Sequence, residues 1–134
     1  MIELSRVSRV YRRDDGEVRA LVDVDLTIER GEFVFVMGPS GSGKSTLLHI
    51  LALLDTASSG EYRLGGEVAS RLDDAARARL RNRRIGLVFQ AFQLVPHLTV
   101  VENVELPLVY RGVAPEERFA KARAALVRVG LESR

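Results

Sequence analysis

The 134-residue sequence contains no cysteine, and only two of its 20 basic residues are lysines, Lys44 and Lys121. Without cysteine, the chain can form neither a disulfide bond nor a metal site with thiolate ligands. It also lacks any apolar run that approaches the ~18 residues needed to cross a bilayer. These absences exclude a disulfide-stabilised scaffold, and we expect no membrane-spanning segment within this sequence.

An excess of charge of one sign is missing as well, because 20 basic residues are balanced by 18 acidic ones and the net charge is +2. A dedicated nucleic-acid-binding domain usually carries a basic excess on one face. The one arginine cluster, between Arg77 and Arg84, is interleaved with Ala76, Ala78 and Leu80. This pattern is more typical of the solvated face of a short helix than of a groove that follows phosphates. We therefore predict no nucleic-acid partner.

What the sequence does contain is a glycine-rich segment, Gly38-Pro39-Ser40-Gly41-Ser42-Gly43-Lys44-Ser45, followed by Thr46. It matches the phosphate-binding loop pattern at every fixed position. Glycines let the backbone turn several N–H groups toward an anion. The Lys44 ammonium is then placed near the β- and γ-phosphates of a nucleotide, and the Ser45 hydroxyl near a bridging Mg²⁺. We predict that residues 38–46 bind nucleotide phosphates.

The residues on either side favour this interpretation over a glycine- and serine-rich turn that matches by chance. Residues 33–37 form a continuous apolar run that predicts a buried parallel strand. Residues 46–54 predict a largely apolar helix, whose N-terminal amides add positive potential at the loop. Strand, loop and helix thus predict an α/β fold with the loop at its centre.

The first thirty residues predict antiparallel sheet. Residues 2–11 alternate like a strand, with a phase shift that indicates a bulge, and residues 13–16 supply turn chemistry. From residue 20 the alternation predicts a second strand with one buried face, made of Ala20, Val22, Val24, Leu26 and Ile28.

Beyond the glycine-rich loop, the sequence predicts a short strand at 61–64, a helix capped by Asp73 that runs to about Arg83, and a buried strand at 85–89. Gln90 comes directly after this last strand. Ligands of open α/β sheets bind outside the carboxyl ends of strands, so we expect Gln90 to face the phosphates. The alternative is a polar residue that merely ends a strand.

Two further helices are predicted at the end of the chain. Thr99 and Glu102 form a capping box, so one helix should begin at Val100, and Pro107 should kink it or end it near Leu106. Pro115 suits a first helical position, and Gly130 a C-cap. The apolar face of this last helix consists of Phe119, Ala122, Leu126 and Val129.

With these features assembled, the sequence resembles the ATP-binding subunit of ABC transporters over all 134 residues, which match only the first part of that domain. The resemblance implies an α/β P-loop NTPase (RecA-like) core, an N-terminal antiparallel β subdomain and the start of a helical subdomain. The expected division is 1–32 for the β part, 33–90 for the core with an inserted segment, and 91–134 for the Q-loop region and early helices.

The resemblance also implies residue roles and the cofactors ATP and Mg²⁺. Gly38 to Ser45 match the Walker A loop. Tyr11 matches the aromatic residue that stacks on adenine, although it can also be read as an ordinary strand aromatic. Gln90 matches the Q-loop glutamine, which contacts Mg²⁺ and the attacking water. Lys44 and Gln90 are thus the expected catalytic residues, and Ser45 and Gln90 the expected metal contacts.

Phrases at 53–62, 90–99 and 102–112 resemble the branch of lipoprotein-release and macrolide-export ATPases. This implies a transmembrane permease subunit or domain that docks near 91–110, a second ATP-binding subunit in a sandwich dimer, and a place on the cytoplasmic face of the inner membrane. The apolar residues between Phe92 and Leu98 suit either such docking or a subdomain core.

The sequence departs from the family pattern after Gln90. The Walker B strand, the signature motif, the D-loop and the switch histidine are absent, and no aspartate occurs beyond Asp74. His49 and His97 do not match the switch histidine by position. We expect an N-terminal fragment or truncated reading frame that hydrolyses little ATP by itself. The alternatives are a non-catalytic nucleotide- or partner-binding fragment, or another P-loop enzyme, although the guanine-reading Asn-Lys-x-Asp motif is missing.

Overall fold

The structure, a computed structural model that describes residues 1–14 and 16–133, contains a four-stranded antiparallel sheet. The strands are β1 (Ile2–Arg13), β2 (Gly16–Ile28), β3 (Ser59–Leu64) and β4 (Glu67–Val68), in the order β2-β1-β3-β4. The chain divides into two units, Met1–Arg81 and Asn82–Arg134, and the sheet lies in the first. The predicted N-terminal antiparallel sheet is confirmed.

A bulge in the β1–β2 pair confirms the predicted phase shift of the first strand. The register shifts between Leu4 and Val7, and both Arg6 (φ 46°) and Asp23 (φ 47°) have left-handed backbone conformations. The Asp25 side chain accepts a hydrogen bond from Arg6 N–H at 2.8 Å, and Ser8 Oγ accepts one from Asp23 N–H at 2.9 Å. Side chains therefore satisfy backbone groups that the interrupted ladder leaves unpaired.

The bulge makes the predicted buried face of β2 wrong at one position. Val22 is 59% exposed, whereas its neighbour Leu21 is only 7% exposed. An extra residue in one strand reverses the side-chain alternation from that point on. The buried side of β2 thus changes phase between Leu21 and Val24.

The hydrophobic core of the first unit lies between the sheet and helix α1 (Lys44–Leu51). Its buried members include Leu4, Val7, Leu21, Ile50, Leu53 and Tyr62. The Tyr62 hydroxyl donates a hydrogen bond to Leu51 O at 2.8 Å, which satisfies a carbonyl at the C-terminus of α1. Burial raises the pKa of Tyr62 to about 12.

Helix α1 ends three residues before the predicted Leu54. The cause is Leu53, which adopts a left-handed conformation (φ 57°). Leu54 N–H and Asp55 N–H then donate back to His49 O at 2.8 and 3.2 Å. This geometry is that of a left-handed helix cap, here formed without glycine.

The two apolar runs predicted as buried parallel strands, 33–37 and 85–89, are not strands within the described residues. Phe33 is 82% exposed, Met37 86% and Val88 97%. A continuous apolar run is typical of a strand covered on both faces, but a strand exists only where a neighbouring strand accepts and donates its hydrogen bonds. Neither run takes part in such a ladder here, so both strand predictions are wrong for this structure.

Helix α2 (Asp74–Arg84) begins as predicted, because Asp73 Oδ1 accepts a hydrogen bond from Ala76 N–H at 2.7 Å. Arg81, near the end of this helix, donates to Leu53 O at 2.6 Å within the first unit. The predicted N-cap is confirmed.

The second unit contains helices α3 (Val100–Val109) and α4 (Pro115–Arg128). The capping box is confirmed: Thr99 N–H donates to Glu102 Oε2 at 2.7 Å, and Glu102 N–H donates to Thr99 Oγ1 at 3.3 Å. The predicted end near Leu106 is wrong, because α3 continues to Val109 with Pro107 inside it, and the alternative of a kink at Pro107 stays a prediction. Proline removes a single backbone donor, and the helix ends less than one turn later in any case.

Helix α4 begins at Pro115 and is followed by Gly130 with φ 73°, and both predictions are confirmed. Its predicted apolar face is only partly buried. Ala122 and Leu126 are buried, whereas Phe119 is 48% and Val129 68% exposed.

A single charged residue, Glu105 on α3, is buried among the described residues, and its carboxylate is paired with Arg118 of α4 at 3.2 Å. Among residues 1–14 and 16–133, no helix is long and apolar enough to cross a membrane.

Candidate nucleotide-binding site

A cleft of about 630 Å³ lies in the first unit where the β1–β2 hairpin meets the glycine-rich loop and the start of α1. Three parts of the chain line it: the hairpin, the loop and the first turn of the helix. The lining residues are Tyr11, Arg13, Val18, Arg19, Ala20, Ser40, Gly41, Gly43, Lys44, Ser45 and Thr46. Gly38, Pro39 and Ser42 complete the same loop but do not line the cleft.

The loop conformation depends on glycine most strongly at Gly43. Its φ is 89°, and a Cβ atom placed there would lie 2.4 Å from Ala20 O in β2. Any side chain would therefore push the loop away from the hairpin and also strain its backbone. Gly43 is the N-cap of α1, so this close contact fixes where the helix begins relative to β2.

The Lys44 ammonium lies over the loop itself. Its Nζ donates hydrogen bonds to Gly38 O at 2.8 Å and to Pro39 O at 2.6 Å, with Ser42 Oγ at 3.4 Å. A single positive charge is thus held beside the backbone N–H groups that begin α1. Both features attract an anion to the same place.

Ser45 and Thr46 occupy the first turn of α1, which contains no acidic residue. The first N–H groups of a helix have no partner within it, so this turn presents donors and partial positive charge to the cleft. The described residues contain no group of three or more His, Asp or Glu side chains that would hold a metal by themselves. The residues present fit a Mg²⁺ ion that is bound jointly by Ser45 and by phosphate oxygens.

Tyr11 lines the cleft at the end of β1, and its hydroxyl is held by a residue that does not line the cleft. It donates a hydrogen bond to Asp55 Oδ2 at 2.7 Å. The Arg9 guanidinium lies 4.5 Å from the centre of the Tyr11 ring and is paired with Asp55 at 2.7 and 3.0 Å. Tyr11 is therefore not a freely rotating strand residue.

Asp55 carries its negative charge at lower pH than an ordinary aspartate. Burial by itself raises the pKa of Asp55, but hydrogen bonds from Tyr11 and from Thr56 N–H, with the charge of Arg9, outweigh it and lower the pKa below its usual value. The stabilisation from this carboxylate is complete above the unfolded pKa of about 3.9 and is lost as the pH falls through the lower folded value.

The cleft includes four residues that the motif did not indicate: Arg13, Val18, Arg19 and Ala20. The register of the hairpin brings them to the cleft, because it pairs Tyr11 with Val18 and Val10 with Arg19. The predicted turn at 13–16 was the available signal, since it sets which residues of β2 lie opposite Tyr11. Arg13 and Arg19 add two cations beside the loop.

Gln90 lies in the second unit, exposed at a bend directly after the run 85–89. Its contact with Mg²⁺ stays a prediction. In the next segment, Phe92 is 92% and Leu94 64% exposed. Asn103 of α3 holds the end of this segment, because its side chain accepts from Val95 N–H at 2.8 Å and donates to Val95 O at 3.2 Å.

Solved structures define the class of protein to which this fold belongs. The chain superposes with a TM-score of 0.86 on the ATP-binding cassette MJ0796, in a dimeric post-hydrolysis state bound to ADP and Pi. The two are 43% identical, and the match covers 94% of this chain and 56% of that one. The fold is thus the first part of a P-loop NTPase of the ATP-binding cassette type, as predicted.

The chain belongs to the ABC transporter family, whose sequence profile matches residues 21–134. It is 48% identical to the uncharacterized ABC transporter ATP-binding protein YknY of Bacillus subtilis, over all of this chain and 58% of that protein. It is 46% identical to the macrolide export ATP-binding/permease protein MacB of Salmonella paratyphi A, over all of this chain and 21% of MacB. The predicted family is confirmed, and the chain spans only part of each relative.

Proposed function

We propose that this chain is the ATP-binding part of an ABC transporter ATPase and that the cleft in its first unit binds ATP. The main observation in support is that an aromatic ring, a glycine-rich loop and the first turn of a helix line one cleft. Tyr11 stacks on adenine, the residues from Gly38 to Thr46 surround the phosphates, and Lys44 neutralises the β- and γ-phosphates.

In the whole protein, the reaction is in-line attack of water on the γ-phosphate. Lys44 and the loop N–H groups stabilise the charge that develops on the transferred phosphoryl group. When bound, Mg²⁺ would supply further charge neutralisation, and Ser45 and Gln90 are the residues of this chain that would hold it. Gln90 also orients the attacking water.

The transporter is of the lipoprotein-release or macrolide-export kind, a proposal supported by phrases at 53–62 and 90–112 and by the similarity to MacB. A permease subunit or domain docks near 91–110, and a second ATP-binding subunit completes a sandwich dimer. Such an assembly places the chain at the cytoplasmic face of the inner membrane. The division into a β part (1–32), a core (33–90) and a Q-loop region with early helices (91–134) belongs to the same proposal.

These 134 residues alone bind ATP without appreciable turnover. Support comes from the sequence, because no aspartate occurs beyond Asp74 to act as the Walker B magnesium ligand and no signature motif is present. Phosphate release from the pure chain should stay near the uncatalysed background. Turnover comparable to that of a full-length relative would contradict this part of the proposal.

The test of ATP binding is displacement of a fluorescent ATP analogue from the chain by unlabelled ATP. Lys44→Ala should weaken binding about tenfold or more, since it removes charge-assisted hydrogen bonds to phosphate. Lys121→Ala is the matched control, because Lys121 is the other lysine and its ammonium pairs with Glu117 on the exposed side of α4. GTP should compete less well than ATP. Equal affinities of the Lys44 and Lys121 variants would overturn the assignment of the cleft.

A further inference from the structure

Three side chains behind the Tyr11 ring form a closed set of contacts: Arg9, Tyr11 and Asp55. The Tyr11 hydroxyl donates to Asp55 Oδ2 at 2.7 Å, and Arg9 donates to the same carboxylate through Nε at 3.0 Å and NH2 at 2.7 Å. The Arg9 guanidinium also lies 4.5 Å from the Tyr11 ring centre. Each member of the set therefore contacts the other two.

The set joins two elements that both border the cleft. Arg9 and Tyr11 are two residues apart on β1, so they lie on the same side of the strand. Asp55 lies just beyond α1, the helix whose N-terminus carries the glycine-rich loop. Thr56 N–H also donates to Asp55 Oδ1 at 2.7 Å, which fixes the carboxylate to its own backbone.

Only one face of the Tyr11 ring is available to the cleft. Tyr11 lines the cleft, whereas Arg9 and Asp55 do not. Arg9 and Asp55 are only 22% and 20% exposed in their side chains, so this ion pair is shielded more than a surface pair. The Tyr11 hydroxyl is hydrogen-bonded and one face of its ring is covered by the Arg9 guanidinium. These two contacts restrict the ring to few rotamers.

We infer that Arg9 and Asp55 are positioning residues that hold the Tyr11 ring as a preformed platform for the adenine base of ATP. The inference rests on the proposed function, in which Tyr11 stacks on adenine. Holding the ring in one orientation removes the conformational entropy that a free side chain would lose on binding. The arrangement is a stack of guanidinium, phenol ring and base.

The experiment compares two probes on the full chain, MgATP and magnesium tripolyphosphate, which has the phosphates but no base. Tyr11→Phe keeps the ring and removes its hydrogen bond, and Arg9→Gln removes the cation. Each change should weaken MgATP binding about three- to tenfold, the size expected for one lost hydrogen bond or cation–ring contact. Tripolyphosphate affinity should stay unchanged.

The matched control is Arg12→Gln. Arg12 lies on the same strand but is 87% exposed in its side chain and pairs with Glu17 on the surface. Its substitution should alter neither probe. In a Tyr11→Ala background, Arg9→Gln should cause no additional loss of ATP affinity, because the platform is already gone.

The possible failures separate the inference from the proposal on which it rests. If the unmodified chain prefers ATP to tripolyphosphate and Tyr11→Ala removes that preference, the platform stands. Should Tyr11→Phe and Arg9→Gln then leave ATP affinity intact, or weaken both probes equally, the positioning role is overturned. A chain that binds ATP no more tightly than tripolyphosphate would overturn the adenine role of Tyr11 and the positioning role with it.

Discussion

Tyr62 shows how one buried residue connects the sheet to helix α1. It is 2% exposed on β3, and its hydroxyl donates to Leu51 O at the end of α1. Tyr62→Phe should lower the free energy of unfolding by about 1 kcal/mol at neutral pH, because Leu51 O loses its donor. Denaturant unfolding followed by circular dichroism measures this difference. Tyr110→Phe is the control, since Tyr110 is 80% exposed.

The pKa of about 12 at Tyr62 adds a pH dependence to the same comparison. The unfolded tyrosine ionises near pH ~10, so the stabilisation is complete below that value and is lost as the pH rises through the folded pKa. The unmodified chain should therefore lose more stability between about pH 10 and pH 12 than Tyr62→Phe does. If the free energies of unfolding of the two proteins fall in parallel with pH, the Tyr62 phenol is not protected from ionisation.

At the scale of single residues, the glycine-rich loop that we propose contacts phosphate could be recognised because its residues are contiguous. One segment, 38–46, carries its chemistry in a fixed spacing. Arg9 and Asp55 could not be found this way, because the pair is formed by residues 46 positions apart. The same holds for Arg19, which reaches the cleft only through the register of a bulged hairpin. Neither the Arg9–Asp55 contact nor the position of Arg19 in the cleft can be predicted from the spacing of residues along the chain.

At the scale of elements, Thr99 determines where α3 begins, and two of its three hydrogen bonds with Glu102 form the capping box. Thr99→Ala should lower the free energy of unfolding by about 1 kcal/mol, because an N–H in the first turn loses its acceptor. Thr99→Ser keeps the hydroxyl and should cost much less. Urea unfolding of both variants measures the two free energies. Equal losses for Thr99→Ala and Thr99→Ser would show that the methyl group of Thr99, and not its capping hydroxyl, stabilises the helix.

The caps were predicted correctly, whereas two of the predicted strands, 33–37 and 85–89, were not, for one physical reason. Asp73, Thr99, Pro115 and Gly130 act on backbone groups within a few residues, so their sequence patterns are sufficient. The runs 33–37 and 85–89 have the composition of buried strands, but a strand requires a hydrogen-bonding neighbour that the described residues do not supply. Composition indicates which surface a segment would bury; it does not provide the partner.

At the scale of the whole molecule, the run 33–37 leaves a contiguous apolar patch on the first unit. The rings of Phe33 and Phe35 pack edge to face with their centres 4.8 Å apart, and the two side chains are 82% and 74% exposed. Apolar side chains grouped in this way bind apolar ligands and other copies of a chain more readily than scattered ones. A net charge of only +2 provides little repulsion between copies.

The chain should therefore bind an apolar fluorescent dye and self-associate as its concentration rises. Phe33→Ser combined with Phe35→Ser should reduce dye fluorescence at least about twofold and shift the sedimentation profile toward monomer, because it removes both rings of the patch. Val129→Ser is the control, because it changes one exposed apolar side chain on the second unit and leaves both rings of the patch in place. The melting temperature should hardly change, since neither ring is buried. If dye binding survives the double substitution, the apolar surface lies elsewhere and the patch is not what drives association.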